Sequence, residues 1–169
     1  MVLDTFISVF QNLISDYDYI ALFISSIISA STVIIPMPLY VLIFFASSLG
    51  LNPLIVGIVS GVGSGIGEIT GYLVGVGSRR VLRKRIKHIP HKIENLEILF
   101  KKYGFWALIL LGVLPFPFDV IGIISGASGF GVKKFLLAAI IGKVVKNLMI
   151  AYAGYFTLPY IEVFLHPIS

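Results

Sequence analysis

The stretch Tyr103–Phe130, YGFWALILLGVLPFPFDVIGIISGASGF, is apolar apart from Asp119 and two serines, and Pro115-Phe116-Pro117 cuts it near its middle. Proline removes a backbone donor and clashes with the preceding turn, so two prolines in three residues end a helix. The pieces left are short. Tyr103–Leu114 holds 12 residues, and so does Phe118–Gly129. Each makes about 18 Å of helix, against a hydrocarbon core of ~30 Å. The lengths predict two half-helices that enter a membrane, turn at the prolines and leave on the same side. Non-helical backbone at membrane depth is tolerated only where protein covers it or water reaches it, so the break implies a cavity or a buried packing site. An ordinary pair of kinked helices is the plainer alternative.

The same pattern occurs earlier. Pro36-Met37-Pro38 cuts the apolar stretch Tyr19–Leu49 and leaves Leu39–Gly50, again 12 residues. Tyr19–Ile35 is longer and comes nearer to spanning. Pro53–Ser78 and Phe135–Leu165 are uninterrupted and exceed the ~20 residues that cross a bilayer. A broken stretch thus precedes a long helix twice. Pro38 lies 34 residues before Tyr72 in Thr70-Gly71-Tyr72, and Pro117 lies 38 before Tyr155 in Ala153-Gly154-Tyr155. One spanning helix between the hairpins inverts the second half, a recurring transporter design. The expected fold is all-α and membrane-integral. It comprises two inverted repeats, each a Pro-broken re-entrant hairpin plus one long transmembrane helix. Pro36, Pro38, Pro115 and Pro117 mark the re-entrant tips. The chain reads as a single membrane domain over residues 1–169, with repeat 1 at about 17–78, a basic loop at 79–102 and repeat 2 at about 103–165.

Composition agrees. Of 169 residues, 57% are apolar and 12% charged, where a soluble domain carries about a quarter charged. Mean hydropathy is +1.00. A soluble enzyme, a nucleic-acid-binding domain and a disordered tail are all disfavoured. Cysteine is absent, which excludes disulfides and thiolate metal sites. His88 and His91 lie in a basic stretch and His166 by the C-terminus, so neither a metal site nor a cofactor is expected. Nine of thirteen basic residues fall between Arg79 and Lys102. Between apolar stretches such a run predicts a cytoplasmic loop rather than a nucleic-acid partner. By parity Lys133 and Lys134 also lie inside and both termini outside, which puts eleven of thirteen basic residues on one face of the membrane. The first 18 residues carry Asp4, Asp16 and Asp18 and no Lys or Arg, unlike the basic start of a signal peptide. Pro90–Lys102 reads as a short amphipathic surface helix through Ile93, Leu96 and Phe100, and residues 1–15 read likewise through Leu3, Phe6, Ile7 and Phe10.

Few residues inside the spans can carry chemistry. Glu68 sits 15 residues into Pro53–Ser78, near the bilayer centre, where a charge costs about 2.5–3.5 kcal/mol on insertion scales. It reads as a proton site or headgroup contact, or as a neutral carboxyl bonded to a hairpin backbone. Asp119, two residues past Pro117, could cap the new half-helix or line the cavity. Lys143, Lys146 and Asn147 follow i, i+3, i+4 spacing and share a helix face. From a helix start near Lys133, Lys143 lies about 15 Å into the membrane. Glu68, Asp119 and Lys143 are expected to form one nearly neutral cluster. Lys143 and Lys146 would attract a phosphate while the acids exchange protons, or the cluster is only a structural ion pair. Gly57, Gly61 and Gly65 repeat every four residues, as do Gly63, Gly67, Gly71 and Gly75. Such stripes let helices pack closely, against the hairpins or against a second copy in a homodimer. No Gly-Lys-Ser/Thr ends the run, which argues against a phosphate loop. Neither Gly-x-Ser-x-Gly nor His-Glu-x-x-His occurs, so no catalytic residues and no enzyme activity are expected.

The half Lys102-Tyr-Gly-Phe-Trp…Leu-Pro115-Phe-Pro-Phe-Asp119-Val-Ile-Gly…Gly126-Ala…Gly142-Lys143 resembles the DedA (SNARE-associated, VTT-domain) superfamily, and within it the small YqaA-like branch. Gly67-Glu68…Gly71-Tyr72…Gly75 resembles that family's Gly-acid…Tyr…Gly stretch. The resemblance covers about residues 19–157. It implies two facing re-entrant hairpins and a lipid translocase or scramblase that moves a phospholipid or polyprenyl-phosphate headgroup between leaflets of the cell membrane, with proton or ion coupling. Larger members place arginines around the second hairpin's proline, where this chain has Gly112 and Phe118. The family's first-half arginine is Val76 here, so arginine-based phosphate recognition does not carry over. The alternatives are a proton- or ion-coupled transporter of a small solute and a non-transporting membrane scaffold.

Overall fold

The computed structural model describes residues 19–31, 39–85, 91–115 and 117–165, with side chains described over all of these but 80–101 and 158–165. Pro36, Pro38 and the segment 1–15 lie outside the described residues. Seven helices and no strand occur among the described residues. They are α1 (Tyr19–Ser31), α2 (Leu39–Ser48), α3 (Pro53–Gly67), α4 (Ile69–Arg85), α5 (His91–Val113), α6 (Phe118–Ser128) and α7 (Val132–Leu165).

Two apolar runs are long enough to cross a membrane, Pro53–Arg79 and Val132–Thr157. The first begins on a built cap. Asn52 accepts the Leu54 N–H on its side chain at 3.0 Å, and Pro53 occupies the first helical turn, where a missing N–H costs nothing. The expected unbroken helix Pro53–Ser78 is divided at Glu68, where regular helix lapses although the backbone stays right-handed (φ −63°, ψ −12°), and it continues past Ser78 to Arg85, so the expected basic loop over 79–102 is helical at 79–85 and 91–102. The Glu68 N–H still donates to the Ser64 carbonyl at 3.2 Å and the Tyr72 N–H to the Glu68 carbonyl at 3.3 Å, so α3 and α4 remain one near-continuous rod.

A second difference concerns α5. The expected surface helix over Pro90–Lys102 and the half-helix from Tyr103 are one helix, His91–Val113. No proline separates them, and the single Gly104 stays helical and buried.

Glycines set how the short helices lie against the long ones. Gly57, Gly61 and Gly65 of α3 meet Leu148, Val144 and Ile140 of α7, so the two long helices run antiparallel. Gly63 and Gly67 meet Phe23, Ile27 and Ala30, which lays α1 parallel to α3. Gly71 meets the Asp119 carbonyl and Gly75 the Ile123 carbonyl, which lays α6 parallel to α4. On α7, Gly142 meets Ile109 and Gly112 of α5, and Gly154 meets Phe44 of α2. Each short pair therefore divides its packing between both long rods. The molecule has two ends. At one, the Tyr19 hydroxyl accepts the Asn52 N–H at 3.3 Å and the Ser48 hydroxyl reaches the Gly154 carbonyl at 3.0 Å. At the other, Gly129 lies against Arg79 and the exposed Lys133 and Lys134 open α7.

Between the two ends the described surface is largely apolar. Ile20, Leu73, Trp106, Leu110, Met149 and Phe156 are each more than half exposed, a surface that suits a hydrocarbon environment.

Candidate functional site: a buried ion pair where helix ends converge

Glu68 and Lys143 face each other across the two rods. The Lys143 Nζ lies 2.5 Å from Glu68 Oε1, and the residues are only 7% and 3% exposed. Glu68 is placed by the Gly67 contact with α1 and by the lapse in the rod, and Lys143 by Gly142, whose Cα approaches Gly112. Glu68 Oε2 has no hydrogen-bond partner. The Lys143 ammonium also sits 5.1 Å from the centre of the Phe118 ring, a cation–π contact.

Ends of short helices gather at this level. The Thr70 hydroxyl, two residues past Glu68, reaches the Ser31 carbonyl at the end of α1 at 3.3 Å. The Lys146 Nζ donates to the Leu114 carbonyl just past α5 at 3.2 Å and lies 4.6 Å from the Tyr40 ring at the start of α2. A cation at free helix-terminal carbonyls complements the dipole. The opposite match holds for α6, whose first turn carries Asp119.

Of the expected cluster, the structure brings Glu68 and Lys143 into contact. Asp119 is half-buried and close enough to act electrostatically on Glu68, but it is not part of the ion pair. Nor does its side chain provide the cap: the N-cap of α6 is Pro117, with no side-chain cap bond. The expected shared face of α7 splits. Lys143 and Asn147 turn toward α3, where the Asn147 Nδ2 donates to the Ser60 hydroxyl at 3.0 Å, while Lys146 turns to the seam between α2 and α5. Gly61, Gly65, Gly67, Gly71 and Gly75 find their partners within the chain. Pro115 and Pro117 are exposed at the bend between α5 and α6. The sequence reading missed Ser60 and Ser64. Their signal was the spacing to Glu68, eight and four residues upstream on one helix face. No group of three His, Cys, Asp or Glu side chains able to hold a metal occurs among the described residues.

Apolar flanks, two long rods and a buried charge pair define an all-helical membrane protein. The chain belongs to the VTT-domain (DedA) family, whose VTT domain model matches residues 35–156. It is 33% identical over 101 residues to the uncharacterized membrane protein YhjE of Bacillus subtilis, covering 58% of this chain and 48% of that one. The match thus spans about half the length of the Bacillus protein. It is 24% identical over 149 residues to the uncharacterized protein MJ0201 of Methanocaldococcus jannaschii, covering 88% and 91%. No solved structure matches.

Proposed function

We propose that this protein is a lipid translocase of the scramblase type, in which a phosphate-bearing headgroup crosses at the Glu68–Lys143 level while its tail stays in the bilayer. The observation that carries the reading is the buried ion pair at the depth where α1, α2, α5 and α6 begin or end. A headgroup crossing ~30 Å of hydrocarbon loses its hydration. Paired half-helices shorten that path, and buried charges replace part of the lost water. Lys146 stands beside the pair on the α2–α5 seam, where Tyr40 and Leu114 are exposed, and would meet an anionic headgroup first.

The fold belongs to this proposal as two inverted repeats with re-entrant hairpins. Each hairpin lays its first arm on its own long rod and its second on the other: α1 on α3 and α2 on α7, then α5 on α7 and α6 on α4. Gly71 and Gly154, matched by sequence pattern, both receive the second arm of the opposite hairpin, through Asp119 and Phe44. The basic end is cytoplasmic by charge, with the termini outside.

The test is parallel reconstitution. Proteoliposomes that exchange fluorescent phospholipid between leaflets but do not leak or take up a small entrapped solute support the translocase. Solute uptake without lipid exchange overturns it in favour of a solute transporter.

A further inference from the structure

α5 and α7 are parallel neighbours: Gly142 meets Ile109 and Gly112, and one turn further on Lys146 meets the Leu114 carbonyl. Depths follow from this contact. At ~1.5 Å per residue, Lys134 lies about 12 Å from Gly142 toward the basic end, and Lys102 about 13 Å from the midpoint of Ile109 and Gly112. The two lysines therefore stand at one level on adjacent helices.

Directions follow as well. At about 100° per residue, Lys134 and Ile141 turn roughly 80° and 100° one way from Gly142, while Lys102 and Trp106 turn roughly 50° and 90° the other way from the α5 side of the contact. On parallel neighbours such opposite turns converge on one side of the pair. That side is bare: Trp106 is 72% exposed and Leu137 54%, and Ile141 is exposed with them. An apolar groove runs between α5 and α7 with one lysine on each rim at its basic end. Lys133 turns about 180° from Gly142 and faces away from the groove.

Both rim lysines are exposed, and neither makes an ion pair among the described residues. The Lys102 Nζ lies 5.1 Å from the centre of the Tyr103 ring instead. Glu68 and Asp119 stand at the level of the central ion pair, and Glu97 and Glu94 lie more than a turn further out along α5. Two like charges thus share a rim with no described carboxylate between them, and Lys134, in the first turn of α7, also opposes that helix's dipole. Setting the orientation of the chain requires positive charge at this end, but not its pairing over an apolar groove. We infer that the groove binds an anionic phospholipid of the leaflet at the basic end. Its phosphate lies between Lys102 and Lys134, and its acyl chains run along Trp106, Leu137 and Ile141. Lysines near the membrane surface attract anionic lipid, and tryptophan rings favour the headgroup level. The lipid stays bound there whether or not headgroups cross at the Glu68–Lys143 level.

Trp106 is the single tryptophan of the chain and lines the groove, so its fluorescence reports what occupies it. The full chain is reconstituted in phosphatidylcholine vesicles that hold the same fraction of either phosphatidylglycerol or phosphatidylcholine brominated on the acyl chains, where bromine quenches a neighbouring indole. Quenching by the brominated phosphatidylcholine normalises each protein, and monodisperse elution establishes folding. Expected is a preference of about tenfold for the anionic quencher in wild type, falling to near one in the double variant Lys102→Gln/Lys134→Gln and retained in Lys133→Gln. Equal quenching by the two brominated lipids in wild type overturns the site. A preference that survives the double substitution, or one that Lys133→Gln lowers as much, overturns it too, since diffuse attraction to the basic end then suffices.

Discussion

Lys143 and Glu68 meet where neither could stay alone. A charge in the hydrocarbon is costly, and breaking a buried pair by removing one partner destabilises by about 3–5 kcal/mol because it strands the other. Glu68→Gln and Lys143→Met should each lower the melting temperature in detergent markedly. The double substitution should recover most of the loss, since a neutral pair needs no compensation. A double variant as unstable as the worse single one would mean that the two side chains do not stabilise each other. Tyr72→Phe removes the hydroxyl bonded to Phe130 and should cost about 1 kcal/mol, read as a small fall in melting temperature. At this scale the sequence was partly legible. Glu68 stood out as the lone acid of an apolar span. Its partner did not, because i, i+3, i+4 spacing places Lys143, Lys146 and Asn147 on one face without saying that two neighbours divide that face. Ser60 and Ser64 shared a helix face with Glu68 by spacing alone, a weak signal, since a serine in a glycine-rich helix reads as a small packing residue.

At the scale of elements, close approach decides. A Cβ on Gly65 would lie 2.7 Å from the Ile140 Cα, so Gly65→Val must push the two rods apart. It should destabilise severely, by several kcal/mol, as overpacked backbone contacts do. Gly77 meets nothing within 4 Å inside α4, so Gly77→Ala should be neutral or stabilise by up to about 1 kcal/mol. Thermal unfolding of the two variants side by side checks both, and equal effects would refute the packing account. The broken stretches were legible because Pro-x-Pro leaves a helix no way to continue. The lapse at Glu68 was not, because no proline marks it. The union of surface helix and half-helix in α5 was hidden for the opposite reason: amphipathic and apolar periods adjoin at Lys102 with no breaker between them.

For the whole molecule, the arrangement of the rods fixes which positions share an end. Lys133 and Gly129 lie at the Arg79 end, and Asn52 lies at the other. Thiol-specific labelling of intact cells with an impermeant reagent should modify Asn52→Cys, with Lys133→Cys reacting only after permeabilisation. Modification of both from outside would contradict the cytoplasmic placement of the basic end. The central claim is that lipid crosses at the Glu68–Lys143 level, and leaflet exchange tests it most directly. Fluorescent phospholipid and fluorescent polyprenyl phosphate are reconstituted in parallel and the outer leaflet is quenched, with wild type, Glu68→Gln and Lys143→Ala compared at equal amounts of folded protein. The account predicts that wild-type protein carries the quench past the outer-leaflet half and that both variants lose most of this excess. Exchange no faster than in empty liposomes, or exchange unchanged in both variants, would contradict it.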